Sequence, residues 1–364
     1  MEKTSSERIV WVDIAKYICI FFVMCAHIET YTNVLSSFCE SFFLMGFLFV
    51  AGYCYKNKYS FLEFLKRKTF QLLIPFFIWG ALSILFHQLF PSARADSGSV
   101  AGVFEEIGWF LLQIRGVNDG PWFIALMFIA YLPFYFLIKL YEKKRSRVTT
   151  IVFAIVLFVL YLGGEIYSSL MSPLPYGVNA LPLHIEYLPK AFFFMFLGYE
   201  FKNSIESRLT KINKYVALAV ITPLYIGLVL VSLFNLTGFN PFANIGFVFV
   251  YRIIGVIFLI YLSKALLPLR YFLFIGQNTI VVFPLHIYFV VAIRLFMHRF
   301  LNDFLNAVIA NTFYATVFTL FEALVISLAA ILPILVINKW LPIMSGKYIP
   351  ATKVLQKETA NDSK

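Results

Sequence analysis

Ten apolar segments of spanning or nearly spanning length dominate this chain of 364 residues. Hydrophobic residues make up 61% of it and charged residues only 13%, a balance that no soluble fold of this size could bury. Because the hydrocarbon core offers backbone groups no hydrogen bonds, such segments are expected to be helices. The sequence therefore predicts an all-α integral membrane protein, a bundle of about ten transmembrane helices. The segments cover about residues 9–29, 41–55, 69–90, 119–139, 148–171, 181–200, 215–235, 242–263, 272–297 and 309–338.

The basic residues predict how these spans are oriented. Of the 30 Lys and Arg residues, 23 fall at the two ends and in alternate connections, three in the other connections and four within spans. Positively charged connections remain on the cytoplasmic side, so both termini are expected to be cytoplasmic. This distribution accounts for the net charge of +11 and argues against nucleic acid as a partner. Residues 1–345 are expected to form one membrane domain, and residues 346–364 a polar cytoplasmic tail.

The long connection between the third and fourth spans contains an amphipathic stretch, Val103–Ile114. Such a pattern is typical of a helix that lies in the membrane interface. Glu105 and Glu106 are expected on its solvated side.

The first span contains three side chains that are costly in a membrane: Asp13, Lys16 and His27. Charged groups within spans usually serve a function. Lys16 and His27 are eleven residues apart, so they share nearly one helix face and are separated by roughly 16 Å along the axis. Asp13, three residues before Lys16, can pair with it. A histidine can activate a hydroxyl as a base or carry an acyl group as a nucleophile. The alternatives are a purely structural ion pair, a snorkelling lysine and an ordinary interfacial histidine.

Other polar residues within spans suggest sites less clearly. Glu322 is placed near the middle of the last span and must find a partner, with catalytic and structural roles equally open. His286 follows Pro284, which would kink its span, and packing is slightly favoured for it. The four cysteines form no CxxC pair or metal-ligand cluster, so no metal is expected. Further charged residues in spans, to which the sequence assigns no role, are Lys190, Arg252, Arg294, Glu165, Glu186 and Glu200.

The first-span motif, Asp13-Ile-Ala-Lys16 with His27 eleven residues further on, resembles the acyltransferase-3 family of integral membrane acyltransferases, including its fucose-4-O-acetylase-like branch. In that family a basic residue precedes a histidine by the same interval. The resemblance extends over about residues 9–340, and Gln71 stands where the family pattern has a second cation. The further similar motifs are Ser41–Tyr53, Lys66–Phe77, Pro121–Leu126, Phe196–Tyr199 and Ile275–Thr279 with His286.

The resemblance implies a membrane O-acyltransferase that moves an acyl group, most often acetyl, from acyl-CoA to a hydroxyl of a cell-surface polysaccharide or its lipid-linked precursor. Acetyl-CoA would be a substrate, with no bound cofactor, and the bacterial cytoplasmic membrane the location. His27 would act as base or acyl carrier, and Lys16, held by Asp13, would orient the donor or balance negative charge. Candidate substrate-binding residues are Arg67 and Lys68 at the CoA phosphates, with Trp122, His286 and Glu322.

Two other classes of protein remain open from the sequence. One is a flippase or secondary transporter of a lipid-linked glycan, in which Asp13, Lys16 and Glu322 would serve a coupling ion. No inverted repeat is evident to favour it. The other is a non-enzymatic membrane scaffold or sensor, which would tolerate loss of His27.

Overall fold

The structure, a computed structural model, describes residues 8–90, 102–113, 121–170, 181–209, 211–236 and 241–347. Within these ranges the chain is helical and contains no strand. Short 3-10 helices lie at Pro182–Tyr187 and Pro342–Ser345, and π-helical turns at Thr69–Leu73 and Phe201–Ile205. The α-helices are α1 Val10–Cys25, α2 Asn33–Cys39, α3 Phe43–Tyr53, α4 Phe61–Lys68, α5 Ile74–Leu89, α6 Val103–Leu112, α7 Trp122–Lys143, α8 Arg147–Leu170, α9 Leu188–Glu200, α10 Glu206–Leu209, α11 Lys214–Leu233, α12 Pro241–Ala265, α13 Arg270–Gln277, α14 Thr279–Phe300, α15 Asn302–Ile309, α16 Thr312–Ala329 and α17 Ile331–Trp340.

Eight helical segments in the described part of the chain are long and apolar enough to cross a membrane. They confirm the all-helical, multi-pass class. The predicted first and sixth spans form shorter helices, α1 of 16 residues and α9 of 13. The count of about ten spans and the cytoplasmic placement of the termini remain predictions.

Helix α1 lies at the centre of the bundle. It contacts α3, α12, α13, α14 and α16, and most of its side chains are buried. A helix surrounded by protein on most sides does not need a lipid-facing surface, which accounts for the charged groups that it contains. The bundle therefore places the polar residues of the first span inside the protein.

Two glycines allow α3 and α9 to cross at close range. A Cβ on Gly52 would lie 1.8 Å from the carbonyl oxygen of Met195, and one on Gly198 would lie 1.9 Å from that of Phe49. Small residues at such crossings let helix backbones approach each other in membranes. This contact fixes α3, which forms part of a cavity wall described below.

The connection before α7 corrects one sequence expectation. The amphipathic helix is present as α6. Of its two glutamates, Glu105 is exposed as expected, whereas Glu106 is fully buried. The helix packs against α5, where the Phe110 ring covers Gly80, and this contact turns the Glu106 face towards the bundle. Nearly all of the predicted polar tail, from residue 348 onwards, lies outside the described residues.

Candidate active site

A cavity of 360 Å³ contains Lys16 in its wall; we call it the lysine cavity. Its wall is mainly apolar, with a few polar groups that converge on it, as is usual for a ligand site. Its further polar side chains include Lys68, Gln71 and Gln277, together with the hydroxyl groups of Tyr131 and Thr279. Gln71 is thus a cavity residue, at the position where the family pattern has a cation.

Asp13 anchors the cations beside this cavity. Its carboxylate accepts from Lys16 Nζ at 2.7 Å, from Arg8 Nε at 2.6 Å and from Gln277 Nε2 at 3.2 Å. The Asp13 side chain is 4% exposed and that of Lys16 is 22% exposed. Helix α13 can approach this point because Gly276 has no side chain: a Cβ there would lie 1.9 Å from the Asp13 carbonyl oxygen. Asp13 is therefore satisfied by three partners, and Lys16 is fixed in the cavity wall.

The two basic residues predicted to contact CoA phosphates have different surroundings. Lys68 lies in the cavity wall, with its Nζ 3.5 Å from the centroid of the Tyr131 ring. Arg67 pairs with Glu63 at 2.9 Å and lies over the Tyr59 ring. The structure therefore places Lys68, but not Arg67, in the wall of the same cavity as Lys16.

A further cation lies near the same cavity. Lys347 follows Gly346, which lies in the cavity wall, and its Nζ donates to Asn338 Oδ1 at 2.7 Å. Partial burial, and then the nearby charge of Arg8, lower the pKa of Lys347. Cations thus cluster around the lysine cavity, which suits it to a ligand with negative charge.

A second cavity, of 710 Å³, contains both His27 and His286 in its wall; we call it the histidine cavity. His27 follows the end of α1, and His286 lies in α14, where it is 1% exposed. Other residues of the wall are Glu40, Trp79, His87, Trp122, Tyr187, Lys190 and Arg252. The predicted site residue Trp122 thus shares a cavity with both histidines.

The two histidines are hydrogen-bonded to each other. His27 Nδ1 lies 2.8 Å from the Val23 carbonyl oxygen and 3.3 Å from His286 Nε2. His286 Nδ1 lies 3.2 Å from the carbonyl oxygen of Val282. A carbonyl only accepts, so both Nδ1 atoms carry the hydrogen, and the single hydrogen on His27 Nδ1 is shared between the Val23 carbonyl oxygen and His286 Nε2. Neutral His27 then has its lone pair on Nε2, the atom that can take a proton from a substrate.

Phe283 lies in the walls of both cavities. Its ring is 5.8 Å from that of Phe123 and 6.1 Å from that of His286, measured between centroids. Lys16 and His27 therefore face two different cavities that adjoin at one aromatic side chain. A substrate that extends past Phe283 would connect them.

The remaining predicted residue, Glu322, lies elsewhere. It is 8% exposed on α16, belongs to the wall of neither cavity and forms no ion pair with any described residue. In contrast, Lys190 and Arg252 lie in the wall of the histidine cavity, although the sequence assigned them no role. Their position within apolar spans was the available signal.

The helices and the two adjoining cavities define a multi-pass membrane protein with a polar site inside its bundle. The family model of the acyltransferase-3 acyltransferase domain matches residues 9–334, and the chain belongs to this family. This confirms the resemblance inferred from the motifs and assigns the protein to the membrane acyltransferases. Neither the curated proteins nor the solved structures gave a match.

Proposed function

We propose that this protein transfers an acyl group from acyl-CoA to a hydroxyl of a cell-surface glycan or its lipid-linked precursor, with acetyl-CoA as donor. The observation that supports this most is the pair of cavities that adjoin at Phe283. One has cations suited to the phosphates of CoA, and the other has a histidine suited to activate a hydroxyl. The lysine cavity would open to the cytoplasm, where acyl-CoA is made, and the histidine cavity to the opposite side.

The donor would bind with its phosphates near Lys68 and its acyl-pantetheine arm directed past Phe283. Lys16, held by Asp13, would lie beside the arm and orient the donor. Lys16 and His27 are separated by about three helical turns, roughly 16 Å, a distance suited to an extended arm rather than to a compact substrate.

The chemistry would occur at His27. Its Nε2 takes the proton of the acceptor hydroxyl, the hydroxyl oxygen attacks the thioester carbonyl carbon, and the carbon–sulfur bond breaks. The proton then passes from His27 to the CoA thiolate, which leaves as the thiol. The Val23 carbonyl and His286 Nε2 accept from His27 Nδ1 and stabilise the imidazolium that forms in between. A transient acyl group on His27 Nε2 is the other route that this geometry allows.

The test is cleavage of acetyl-CoA by the purified full-length protein in detergent, followed as release of the free thiol. The wild type should release thiol, faster with a glycan acceptor, and His27→Ala should lose this activity. His298→Ala is the matched control, because His298 is half-exposed and pairs with Glu29 away from both cavities. Activity that survives in His27→Ala would refute this mechanism, and no cleavage by the wild type would favour the transporter class.

A further inference from the structure

Three helices meet at Glu165 next to the histidine cavity. The Oε1 atom of Glu165, on α8, lies 2.9 Å from Lys190 Nζ on α9 and 2.6 Å from Arg252 Nη1 on α12. Arg252 Nη1 also donates to the hydroxyl of Tyr161 at 2.7 Å. Two cations thus share one carboxylate oxygen, and the side chains of the three charged residues are only 7% to 18% exposed.

The two cations are placed between Glu165 and the cavity. Lys190 and Arg252 belong to the cavity wall, whereas Glu165 does not. Glu186 also acts on Lys190, but it accepts from the backbone N–H of Leu181 and is not part of the wall. The carboxylate that does lie in the wall, Glu40, is exposed and accepts from Ser36. The buried part of the wall next to Glu165 therefore presents two cations to the cavity, with their shared carboxylate outside the wall.

A buried ionic cluster contributes little to stability, so its presence points to a function. Apolar residues of similar size in place of a buried ionic cluster often leave stability unchanged or raise it. Charged groups within membrane spans commonly mark substrate pathways. Aromatic rings adjoin the cluster: Lys190 Nζ lies 4.8 Å from the Tyr187 ring centroid, and the Trp122 ring lies 5.6 Å from that of Tyr187. Flat apolar rings beside a cation pair suit a sugar that has an acidic group.

We propose that Lys190 and Arg252 form an anion-binding subsite in the histidine cavity, which binds a carboxylate or phosphate group on the acceptor. The anionic group is either the carboxylate of an acidic sugar or a phosphate that links the glycan to its lipid carrier. Both would be bound by charge-assisted hydrogen bonds from Lys190 and Arg252. That the bound anion belongs to the acceptor rests on the proposed function, whereas the presence of an anion-binding subsite does not depend on it.

The test is equilibrium dialysis of the full-length protein in detergent with labelled D-glucuronate, inorganic phosphate and neutral D-glucose. No acyl-CoA is present, so the result is independent of whether the protein cleaves thioesters. Glucuronate or phosphate should bind saturably and D-glucose should not; which anion binds more tightly separates the two sources. Lys190→Gln and Arg252→Gln should each weaken anion binding at least about tenfold. The matched control is Lys139→Gln, because Lys139 binds the Asn57 carbonyl and belongs to neither cavity wall.

A variant that gains affinity distinguishes the proposal from misfolding, because a misfolded protein would lose anion binding. Glu165→Gln removes the carboxylate that competes for both cations, so it should tighten anion binding, whereas a purely structural cluster would show no such gain. Lys68→Gln should have no effect on glucuronate binding, because Lys68 lies in the lysine cavity, where the phosphates of CoA are proposed to bind. Three results would each overturn the proposal: no saturable anion binding, anion binding unchanged in both Lys190→Gln and Arg252→Gln, or glucuronate binding lost only in Lys68→Gln.

Discussion

Replacement of His286 by alanine tests the hydrogen bond between the two histidines. His286 Nε2 accepts from His27 Nδ1 at 3.3 Å, and this bond strengthens when His27 becomes an imidazolium. A hydrogen bond to a charged group contributes about 1.5–3 kcal/mol, and each 1.4 kcal/mol corresponds to about a factor of ten in rate. The distance is long for such a bond, so the lower end applies, and His286→Ala should lower kcat about 10- to 30-fold.

The loss from His27→Ala should be larger, about 10²- to 10⁴-fold, because it removes the base itself. The two effects should not multiply, because His286 acts only through His27. The double variant should therefore be no slower than His27→Ala alone. The assay is thiol release from acetyl-CoA at saturating acceptor, with each variant at matched amounts in the membrane. Full activity in His286→Ala would assign that residue to packing, the role that the sequence slightly favoured. If the fold-losses of the two single variants multiply in the double variant, the two histidines act independently and the hydrogen bond between them is not used.

Three further predictions concern charge, packing and topology. Lys16→Ala should abolish transfer, and Lys16→Arg should retain part of it. Lys16→Ala should stay folded: the loss in its free energy of unfolding, measured by thermal unfolding, should be less than the roughly 3–5 kcal/mol expected for a stranded buried charge, because Asp13 keeps Arg8 and Gln277 as partners. Gly52→Ala should destabilise the protein at the α3–α9 crossing by about 1–3 kcal/mol or more. Gly163→Ala is the control and should not destabilise it, because a Cβ there meets no atom within 4 Å. An unfolding temperature of Gly52→Ala equal to or higher than that of the wild type would contradict the packing argument. Cysteine labels placed after Lys58, Lys144 and Lys211 should all be accessible from the cytoplasm. A label at any of these positions that is accessible only from outside would refute the orientation.

Much of the fold could be predicted from hydrophobicity alone. In a bilayer an apolar segment of spanning length has few alternatives to a helix, so the positions of most helices follow from the sequence. The ion pair of Asp13 and Lys16 was also predictable, because its partners are three residues apart on one helix. The burial of Glu106 was not, because the amphipathic pattern gives no information about which helix face meets α5.

The contacts between spans could not be predicted from one sequence. His27 and His286 are 259 positions apart, and the apolar periodicity of α1 and α14 does not specify which faces meet. The same is true of Glu165, Lys190 and Arg252, which lie on three different helices. The sequence marked each residue as costly within a span, but the relative rotation of the helices decides which of them share a cavity.

The position of Phe283 between the two cavities has a consequence for the way membrane voltage acts on the protein. If the lysine cavity opens to the cytoplasm and the histidine cavity to the opposite side, as the proposed function requires, water in both cavities would leave an insulating layer between them that is thinner than the surrounding hydrocarbon. A transmembrane voltage of 100 mV corresponds to about 2.3 kcal/mol for each elementary charge moved across it. Much of that drop would fall over the short distance around Phe283. A neutral acyl group could pass this layer without electrical work, whereas a proton or an ion would be opposed or driven by nearly the whole field.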